Sequence, residues 1–326
     1  MNAGGRLIDF STPKVMGILN ITPDSFYAGS RSMSTGDALD RVGSMLSEGA
    51  DMIDIGAYSS RPGAAKLSPA EESARLIPVE TDARGRVITR EAAVICGTAW
   101  FDATFAALDP TATVLWDVRD GDAVEPGQTL CHIVANARVL LTAERTALNF
   151  LQLLSGTATV TRRYVEAVTG TRARIVDTRK TLPGLRLAQK YAVATGGGHN
   201  HRVGLYDGIL IKENHIIAAG GIEAAVTRAR EIAASDVFIE VEVETLGQLE
   251  TALAAGVKMI LLDNMELDTM RRAVELTGDQ AELEASGGVN LERVRAIADT
   301  GVHRISIGGL TKDVRAIDLS LRHVEE

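Results

Sequence analysis

The sequence predicts an α/β protein built around a closed or nearly closed β/α barrel. From about residue 173 onward, apolar runs of strand length alternate with amphipathic helical segments. Parallel strands need a crossover connection and a helix is the usual one, so this alternation indicates parallel pairing. Two other patterns precede the barrel: short strands with tight turns between residues 84 and 135, and one strand–helix–strand unit between residues 14 and 63. An open doubly wound sheet is the alternative to the barrel.

Length and composition place the chain among ordinary globular proteins. Its 326 residues suffice for two domains, or for a barrel with an accessory layer. The formal net charge of -9 argues against generic binding of nucleic acid or of anionic membranes, because those partners are held by an excess of Lys and Arg. No apolar run reaches the roughly 18 residues of a membrane span, and the N-terminus lacks a signal or transit pattern. We therefore expect a cytoplasmic protein without nucleic-acid or membrane partners.

The two cysteines, Cys96 and Cys131, lack the spacing of metal ligands and are too few for a disulfide framework. Both are interpreted as small buried apolar residues in a reducing compartment.

The segment from 14 to 63 has the pattern of one βαβ unit. KVMGILNIT and DMIDIG are strand-like, and the helix between them, TGDALDRVGSMLSEG, carries its apolar residues on one face: Ala38, Leu39, Val42, Met45 and Leu46. Two strands cannot bury both faces of a sheet, so this unit is expected to pack against something else.

The next segment predicts a small α/β sandwich. RVITRE, VLWDV and LCHIV are short strands separated by DG and PGQ turns, with a helix near TAWFDATFAAL. The stretch from 138 to 168 then has the pattern of one or two long helices. At the other end of the chain, DVRAIDLSLRHVEE is predicted to be a last helix that folds back on the sandwich.

Six strands are predicted for the barrel, in the order ARIVD (173–177), DGILIK (207–212), VFIEVEV (237–243), KMILLD (258–263), AELEAS (281–286) and HRISIG (303–308). Between them lie helical segments such as GLRLAQKYAVAT, GIEAAVTRAREIAA, TLGQLETALAAG, LDTMRRAVELTG and LERVRAIADTG.

Polar residues at the carboxyl ends of barrel strands point into the mouth, where active sites of this architecture lie. Residues 177 to 215 are net basic inside an acidic chain: Arg179, Lys180, Arg186, Lys190, Arg202 and Lys212 stand against Asp177, Asp207 and Glu213. Guanidinium forks and ammonium groups suit carboxylates and phosphates. We therefore expect an anion site formed by Arg179, Lys180, Arg202 and Lys212.

A phosphate cradle is predicted after the last two strands. SGGV and IGGL place Ser286, Gly287, Gly288, Gly308 and Gly309 before helix starts, where backbone N–H groups hold phosphate. The alternative is that both glycine pairs merely form turns.

Two carboxylates and two histidines complete the predicted mouth. Glu242 and Asp263 end neighbouring strands and suit Mg²⁺ held together with a diphosphate; the alternative is that they are solvated or paired with lysines. His201 and His215 are acid/base groups or oriented donors, and no HExxH spacing is present. P-loop, strand-linked GxGxxG and Ser/His/Asp patterns are absent as well.

Residues from about 79 to 326 resemble the quinolinate phosphoribosyltransferase family. The resemblance rests on LLTAERTALNFLQLLSG, DTRKTLPGLR, QKYAVATGGGHNHRVGLYDGILIKENHI, EVEVETLGQL, ILLDNM, LEASGGVN and ISIGGLTK, in family order. It implies an incomplete β/α (TIM-like) barrel with a small α/β sandwich, and a homodimer with shared active sites. It also implies the condensation of quinolinate with phosphoribosyl pyrophosphate and the loss of CO2, yielding nicotinate mononucleotide for NAD synthesis.

The same resemblance implies roles for individual residues. Glu242 and Asp263 would contact the ribose or the Mg²⁺-diphosphate, and catalytic roles fall to these two and to Lys180. The glycines with Ser286 would hold the 5-phosphate. The quinolinate carboxylates and neighbouring phosphates would be bound by Arg145 from the partner subunit and by Arg179, Lys180, His201, Arg202 and Lys212.

Residues 1 to 78 resemble a different family, dihydropteroate synthase. The resemblance rests on MGILNITPDSF, EGADMIDIGAYSSRPGA and SPAEESARLIPV, and it implies substrate-site roles for Asn20, Ser60 and Arg61. That family's later pterin-binding and catalytic residues have no counterpart here. The resemblances imply a chimera joined near residues 74 to 80, with domains 1–78, 79–148 (with helix 314–326 returning to it) and 149–313. An active phosphoribosyltransferase, an impaired fusion that only binds phosphates or partners, and a pteroate synthase are the three functional hypotheses.

Overall fold

The computed structural model describes residues 2–3, 6–7, 14–20, 35–56 and 82–324. The chain divides into two compact units: Met1–Ala83 with Val134–Ala143, and Arg84–Ile133 with Glu144–Glu326. The seam predicted near residues 74 to 80, the residues Ser60 and Arg61, and the side chain of Asn20 lie outside the described part. Among the described residues, no helix combines the length and apolarity required to cross a membrane.

The first unit contains the predicted βαβ element. Strands β1 (Asn2–Ala3) and β2 (Arg6–Leu7) pair antiparallel, whereas β3 (Met16–Asn20) and β4 (Met52–Gly56) pair in parallel on either side of helix α1 (Thr35–Ser47). The predicted apolar face of α1 is only partly covered. Ala38, Val42 and Met45 are half-buried, but Leu39 and Leu46 are 67% and 52% exposed.

The predicted sandwich is present, mostly in the second unit. Its elements are β5 (Asp82–Thr89), β6 (Ala93–Val94), α2 (Thr98–Leu108), β7 (Thr113–Trp116), β8 (Ala123–Val124) and β9 (Thr129–Asn136). Helix α2 buries Phe101 and Phe105, and the ring of Phe101 meets Trp116 edge-on. A single helix, α3 (Ala137–Ala167), follows, where the sequence allowed one or two.

The predicted C-terminal helix is wrong. Residues Leu319–His323 form strand β16, which pairs antiparallel with β5 and completes a four-stranded sheet of order β16-β5-β9-β7. The reason is the two-residue alternation of Leu319 and Leu321, which turns both leucines toward the sheet's covered side; Leu321 lies opposite the fully buried Val87. The expected return of this segment to the sandwich is confirmed.

All six predicted barrel strands form, as β10 (Arg174–Val176), β11 (Gly208–Ile211), β12 (Phe238–Val243), β13 (Met259–Asp263), β14 (Glu282–Ser286) and β15 (Arg304–Ser306). The helices that accompany them are α4 (Arg186–Thr195), α5 (Glu213–Ala219), α6 (Ile222–Ile232), α7 (Leu246–Ala254), α8 (Leu267–Thr277), α9 (Val294–Ala298) and α10 (Gly309–Lys312).

The barrel is incomplete, as the family resemblance implied. Its strands are parallel in the order β10-β15-β14-β13-β12-β11, so β10 and β11 are edges that do not pair with each other. A loop residue, His199, lies against the edge of β10: its N–H donates to Ile175 O at 2.8 Å, and its carbonyl accepts from Asp177 N at 3.1 Å. The loop from Gly196 to Arg202 therefore covers part of the opening.

Candidate active site

A cavity of about 660 Å³ opens at the carboxyl ends of the barrel strands. It gathers the sequence-predicted site residues from six strands and loops: Arg179, Lys180, His201, Arg202, Lys212, Glu242, Asp263, Ser286, Gly287, Gly288, Gly308 and Gly309. Arg145 is the exception, since it lies exposed on α3 and does not line this cavity. The predicted convergence of cations at one mouth is thus confirmed.

A buried ion pair fixes the loop that carries two of these residues. Asp177 is fully buried and accepts hydrogen bonds from Lys190 Nζ, from Asn200 Nδ2 at 2.7 Å and from the backbone N–H of His201 at 2.8 Å. Lys190 also donates to the carbonyl of His201 at 2.8 Å. Asp177 and Lys190, counted among the mouth charges from sequence, therefore serve to hold the loop in place.

Two guanidinium groups lie close together in the cavity wall. Arg202 donates through Nη1 to the carbonyl of Gly208 at 2.9 Å, while the buried Nε of Arg179 has no hydrogen-bond partner among the described residues. Burial and the positive charge of Arg179 both lower the pKa of Arg202. A buried donor without a partner and two like charges side by side are costly unless an anion completes them.

The other cations differ in their surroundings. Lys212 Nζ lies 2.6 Å from Glu242 Oε2, and Lys312, which the sequence analysis missed, reaches the cavity beside Asp313. The carbonyl of Lys180 accepts from Thr311 Oγ1 at 2.8 Å, which anchors its backbone. Arg186, by contrast, donates to the carbonyls of Arg179 and Val203 and supports the loop from outside the cavity.

The glycine cradle depends on loop geometry more than on helix starts. Gly287 and Gly288 have φ of +99° and +59°, and a Cβ on Gly287 would lie 2.0 Å from Asn264 Oδ1. Helix α9 begins only at Val294, beyond the SGGV motif, and α10 has four residues. The helix predicted to start directly after SGGV therefore starts later than expected, because residues 291–293 form a turn first.

Glu242 and Asp263 fit a magnesium ion that is held mainly by a substrate. Both half-buried carboxylates line the cavity at the ends of neighbouring strands, and each is also bound to a neighbour, Glu242 to Lys212 and Asp263 to the amide of Asn264 at 2.9 Å. Two carboxylates are too few for an all-protein site, but Mg²⁺ commonly combines one or two with waters and phosphate oxygens.

Below the mouth, inside the barrel, His201 lies beside two carboxylates that the sequence analysis did not identify, those of Glu240 and Glu284. His201 Nε2 lies 2.9 Å from Glu240 Oε2 and 3.6 Å from Glu284 Oε2, and both carboxylates are buried. Two-residue alternation was a usable signal, since Glu240 shares the inward face with Glu242, and Glu284 with Ser286. Their proximity across the barrel could not be deduced from one strand.

This triad has donors for a metal ion, but its hydrogen bonds favour a proton. The donor atoms of His201, Glu240 and Glu284 all lie within 4.8 Å of one another. His201 Nδ1 accepts from the backbone N–H of Arg202 at 2.8 Å, so the ring proton lies on Nε2 and is donated to Glu240. A metal ion on Nε2 would displace that proton and leave the ring with none.

His215, the other predicted acid/base candidate, has a structural role at the start of a helix. It does not line the cavity, and its Nδ1 accepts from the backbone N–H of Lys212 at 3.0 Å at the start of α5.

Comparison with known proteins gives two family matches. The family model described as "Quinolinate phosphoribosyl transferase, C-terminal domain" matches residues 157–322, and the model described as "Pterin binding enzyme" matches residues 16–170. The two matches overlap in α3 and the turn that follows it. All cavity residues lie beyond residue 170, so the pterin match contains none of them.

Curated relatives and solved structures agree with the first match. A probable nicotinate-nucleotide pyrophosphorylase (carboxylating) of Bacillus subtilis is 43% identical over 242 residues, which are 74% of this chain and 84% of that protein. The nicotinate-nucleotide pyrophosphorylase (carboxylating) of Mycobacterium leprae is 46% identical over 253 residues, 75% and 88% of the two chains. The structure of the Francisella tularensis nicotinate-nucleotide pyrophosphorylase has a TM-score of 0.75 and 44% identity, covering 77% of this chain and 89% of that one.

Proposed function

This chain belongs to the quinolinate phosphoribosyltransferase family, and from that premise we propose that it transfers the phosphoribosyl group of phosphoribosyl pyrophosphate to quinolinate. The products are nicotinate mononucleotide, pyrophosphate and CO2, which makes the protein a pentosyltransferase of NAD biosynthesis. The chain covers 84% and 88% of the two curated relatives, so the proposal concerns most of their length.

The paired guanidinium groups of Arg179 and Arg202 are the observation that carries this proposal. Burial and the positive charge of Arg179 lower the pKa of Arg202, and the buried Nε of Arg179 has a proton to donate. Quinolinate is a flat diacid whose carboxylates are adjacent on the ring. Such a dianion offsets both positive charges and accepts the free N–H, which a monoanion or a neutral base does less well.

The remaining residues divide between the two substrates. Lys180 and Lys212 add charge for the carboxylates and for the neighbouring phosphates, while Ser286 and the glycines Gly287, Gly288, Gly308 and Gly309 enclose the 5-phosphate. His201 has both ring nitrogens engaged by Glu240 and Arg202 N–H, so its contribution is to shape the wall beside the diacid. Glu242 and Asp263 hold the ribose or the Mg²⁺ that accompanies the diphosphate.

The reaction requires mainly orientation and charge stabilisation from the protein. The pyridine nitrogen attacks the anomeric carbon as the bond to pyrophosphate breaks, through a state with oxocarbenium character. Bound Mg²⁺ supplies charge to offset the departing diphosphate. Lys180, Glu242 and Asp263 line the cavity, and to them we assign the orientation of the substrates and the stabilisation of the change in charge. The carboxylate next to nitrogen then leaves as CO2, with the pyridinium as electron acceptor.

A homodimer with shared active sites is part of the proposal. Its support is the exposed position of Arg145 on α3, away from its own chain's cavity. If Arg145 of one subunit completes the site of the other, subunit exchange between equal amounts of inactive Arg145→Ala and inactive Lys180→Ala should restore about a quarter of the parent activity. About half of the dimers are then mixed, and each mixed dimer contains one intact site. Absence of any restoration, with mixed dimers demonstrated by tag capture, contradicts sharing.

One assay tests the function itself. Purified protein is incubated with quinolinate, phosphoribosyl pyrophosphate and Mg²⁺, nicotinate mononucleotide is measured, and the same sample is run on a sizing column. Product from a dimer is the expected result. Binding of both substrates by a monomer, without formation of product, supports the impaired fusion instead. That outcome is included because residues 1 to 78 resemble a different family.

A further inference from the structure

The interior of the barrel contains two carboxylates where apolar side chains are usual. Interiors of β/α barrels are filled mainly by branched apolar residues. Here Glu240 is fully buried and Glu284 is 2% exposed. Glu240 Oε1 and both carboxylate oxygens of Glu284 have no hydrogen-bond partner among the described residues. An ionised pair in this position would be very costly, so the pair holds a proton.

The position of that proton follows from the neighbouring hydrogen bonds. Glu240 already accepts the Nε2 proton of His201, and Nδ1 of the same ring accepts from Arg202 N–H. A further proton on Nδ1 would replace that bond with two donors facing each other. Glu284, whose oxygens have no hydrogen-bond partner among the described residues, is the group left to hold it. Burial first, and then the charge of Glu240, raise the pKa of Glu284 to about 7, against the opposing effects of His201, Ser306 and Arg304.

Glu284 also reaches the substrate cavity, and the other acids there are differently engaged. Asp177 is fixed by Lys190, Glu242 by Lys212, Asp313 lies beside Lys312, and Asp263 accepts from Asn264. Among the described acids that line the cavity, Glu284 alone combines burial with two oxygens that lack partners. It is therefore placed to exchange a proton with a bound molecule.

The proposed reaction needs such a proton. When the bond between the ring and its carboxylate breaks, CO2 leaves and the electron pair remains on the ring carbon next to nitrogen. Nicotinate mononucleotide forms only when that carbon gains a proton. We propose, resting on the proposed function, that the carboxyl group of Glu284 donates this proton and is a catalytic residue of the decarboxylation step. Glu284 becomes a carboxylate in the step and regains a proton from solvent before the next turnover.

Comparing two products in one reaction tests this role. Pyrophosphate reports the transfer step, whereas nicotinate mononucleotide requires the later protonation. In a single-turnover experiment the parent should form both at one rate. Glu284→Gln keeps the size of the side chain but has no acidic proton, so pyrophosphate should appear while nicotinate mononucleotide lags about 100-fold or more, the usual effect of losing a general acid. Glu284→Asp retains a carboxyl group, so the delay between pyrophosphate and nicotinate mononucleotide should be smaller in this variant.

Glu282→Gln is the matched control. Glu282 lies on the same strand, pairs with Arg304 at 2.8 Å and does not line the cavity. Its substitution should therefore leave the rates of formation of the two products equal. The inference fails if Glu284→Gln forms nicotinate mononucleotide at the parent rate, which would make water the donor. It fails equally if both products fall together, since the carboxyl group would then serve binding or folding. A parent protein that forms no nicotinate mononucleotide refutes the proposed function itself.

Discussion

The ammonium group of Lys212 lies 2.6 Å from the carboxylate of Glu242 at the barrel mouth; Lys212 directly follows β11, and Glu242 lies on the neighbouring strand β12. This contact joins a group assigned to anionic substrates with one assigned to the magnesium-diphosphate. Under the proposed function, we expect binding of both substrates to rearrange this contact, so that a change to either residue affects both ligands.

Glu242→Gln should weaken the binding of Mg²⁺ together with phosphoribosyl pyrophosphate. The amide cannot supply a full negative charge to the cation, and we expect a loss of about 10-fold to 100-fold in kcat/KM for phosphoribosyl pyrophosphate, partly recovered at high Mg²⁺. The measurement is a rate titration over Mg²⁺ concentration. Glu244→Gln, exposed and outside the cavity, is the control. An unchanged Mg²⁺ dependence in Glu242→Gln would remove Glu242 from this role.

Arg179→Ala and Lys180→Ala should each reduce kcat/KM by about 100-fold or more, because preorganised charges at the reacting groups contribute on that scale. Arg179→Lys should recover little, since an ammonium group cannot make the paired contacts of a guanidinium. Arg174→Ala, an exposed cation at the start of β10, the strand that precedes Arg179, should behave like the parent. Near-parent turnover in both alanine variants would exclude them from the mechanism.

Gly287→Ala should disrupt the phosphate cradle. The added Cβ would lie 2.0 Å from Asn264 Oδ1, and the φ of +99° is unfavourable for any L side chain. Displacing this loop by about 1 Å should cost about 100-fold in kcat/KM for phosphoribosyl pyrophosphate, with less effect on quinolinate binding. Gly247→Ala, in α7 with nothing near its Cβ position, should leave kinetics unchanged and add up to about 1 kcal/mol of stability.

The stability of the protein should depend on the ionisation of Glu284. In the unfolded chain this carboxyl group loses its proton near its ordinary pKa of 4.5, but in the folded protein it holds the proton to about pH 7. The unfolded state is therefore favoured progressively as pH rises between these values, and the free energy of unfolding should fall by about 3 kcal/mol before levelling off. Urea unfolding of the parent and of Glu284→Gln at pH 5 and pH 8 measures the difference. The Gln variant should gain stability relative to the parent at pH 8, and an equal difference at both pH values would contradict the assignment.

Cys96 and Cys131 should be unreactive in the folded protein. Both are fully buried, and burial raises the pKa of each thiol to about 12, so the reactive thiolate is scarce at neutral pH. A chromogenic disulfide reagent should modify neither thiol in buffer and both in urea. Rapid modification of either one without denaturant would show that the surrounding core opens.

Local patterns predicted most of the fold. Each barrel strand appears within its predicted range because apolar runs, turn residues and amphipathic helices act over a few residues. The C-terminal segment was misassigned because DVRAIDLSLRH contains both a helical spacing and a two-residue alternation, and pairing with β5 selects the latter. Whether such a segment forms a helix or a strand depends on a strand that is distant in the sequence, and the local sequence does not show that this strand lies beside it.

The candidate site was likewise predictable only where local sequence patterns were sufficient. Arg179, Lys180 and Lys212 were predictable because each follows an apolar strand, and parallel strands bring such residues to one end. Arg202 lies in the loop that precedes β11 and was predicted from the excess of cations between residues 177 and 215. Glu240 and Glu284 were missed because their significance depends on meeting His201 across the barrel. His215 had the same apparent signal as His201, yet its ring caps α5. One-dimensional spacing locates the mouth but does not distinguish ligand-binding side chains from supporting ones.

The backbone contact between His199 and the edge of β10 has an evolutionary consequence. An uncovered strand edge can recruit another chain and lead to aggregation, and here the covering residue belongs to the same short loop as His201 and Arg202. A change that loosens this loop would reduce solubility as well as affinity. Under the proposed function, we therefore expect selection against precipitation and selection for catalysis to act on the same few positions of this loop.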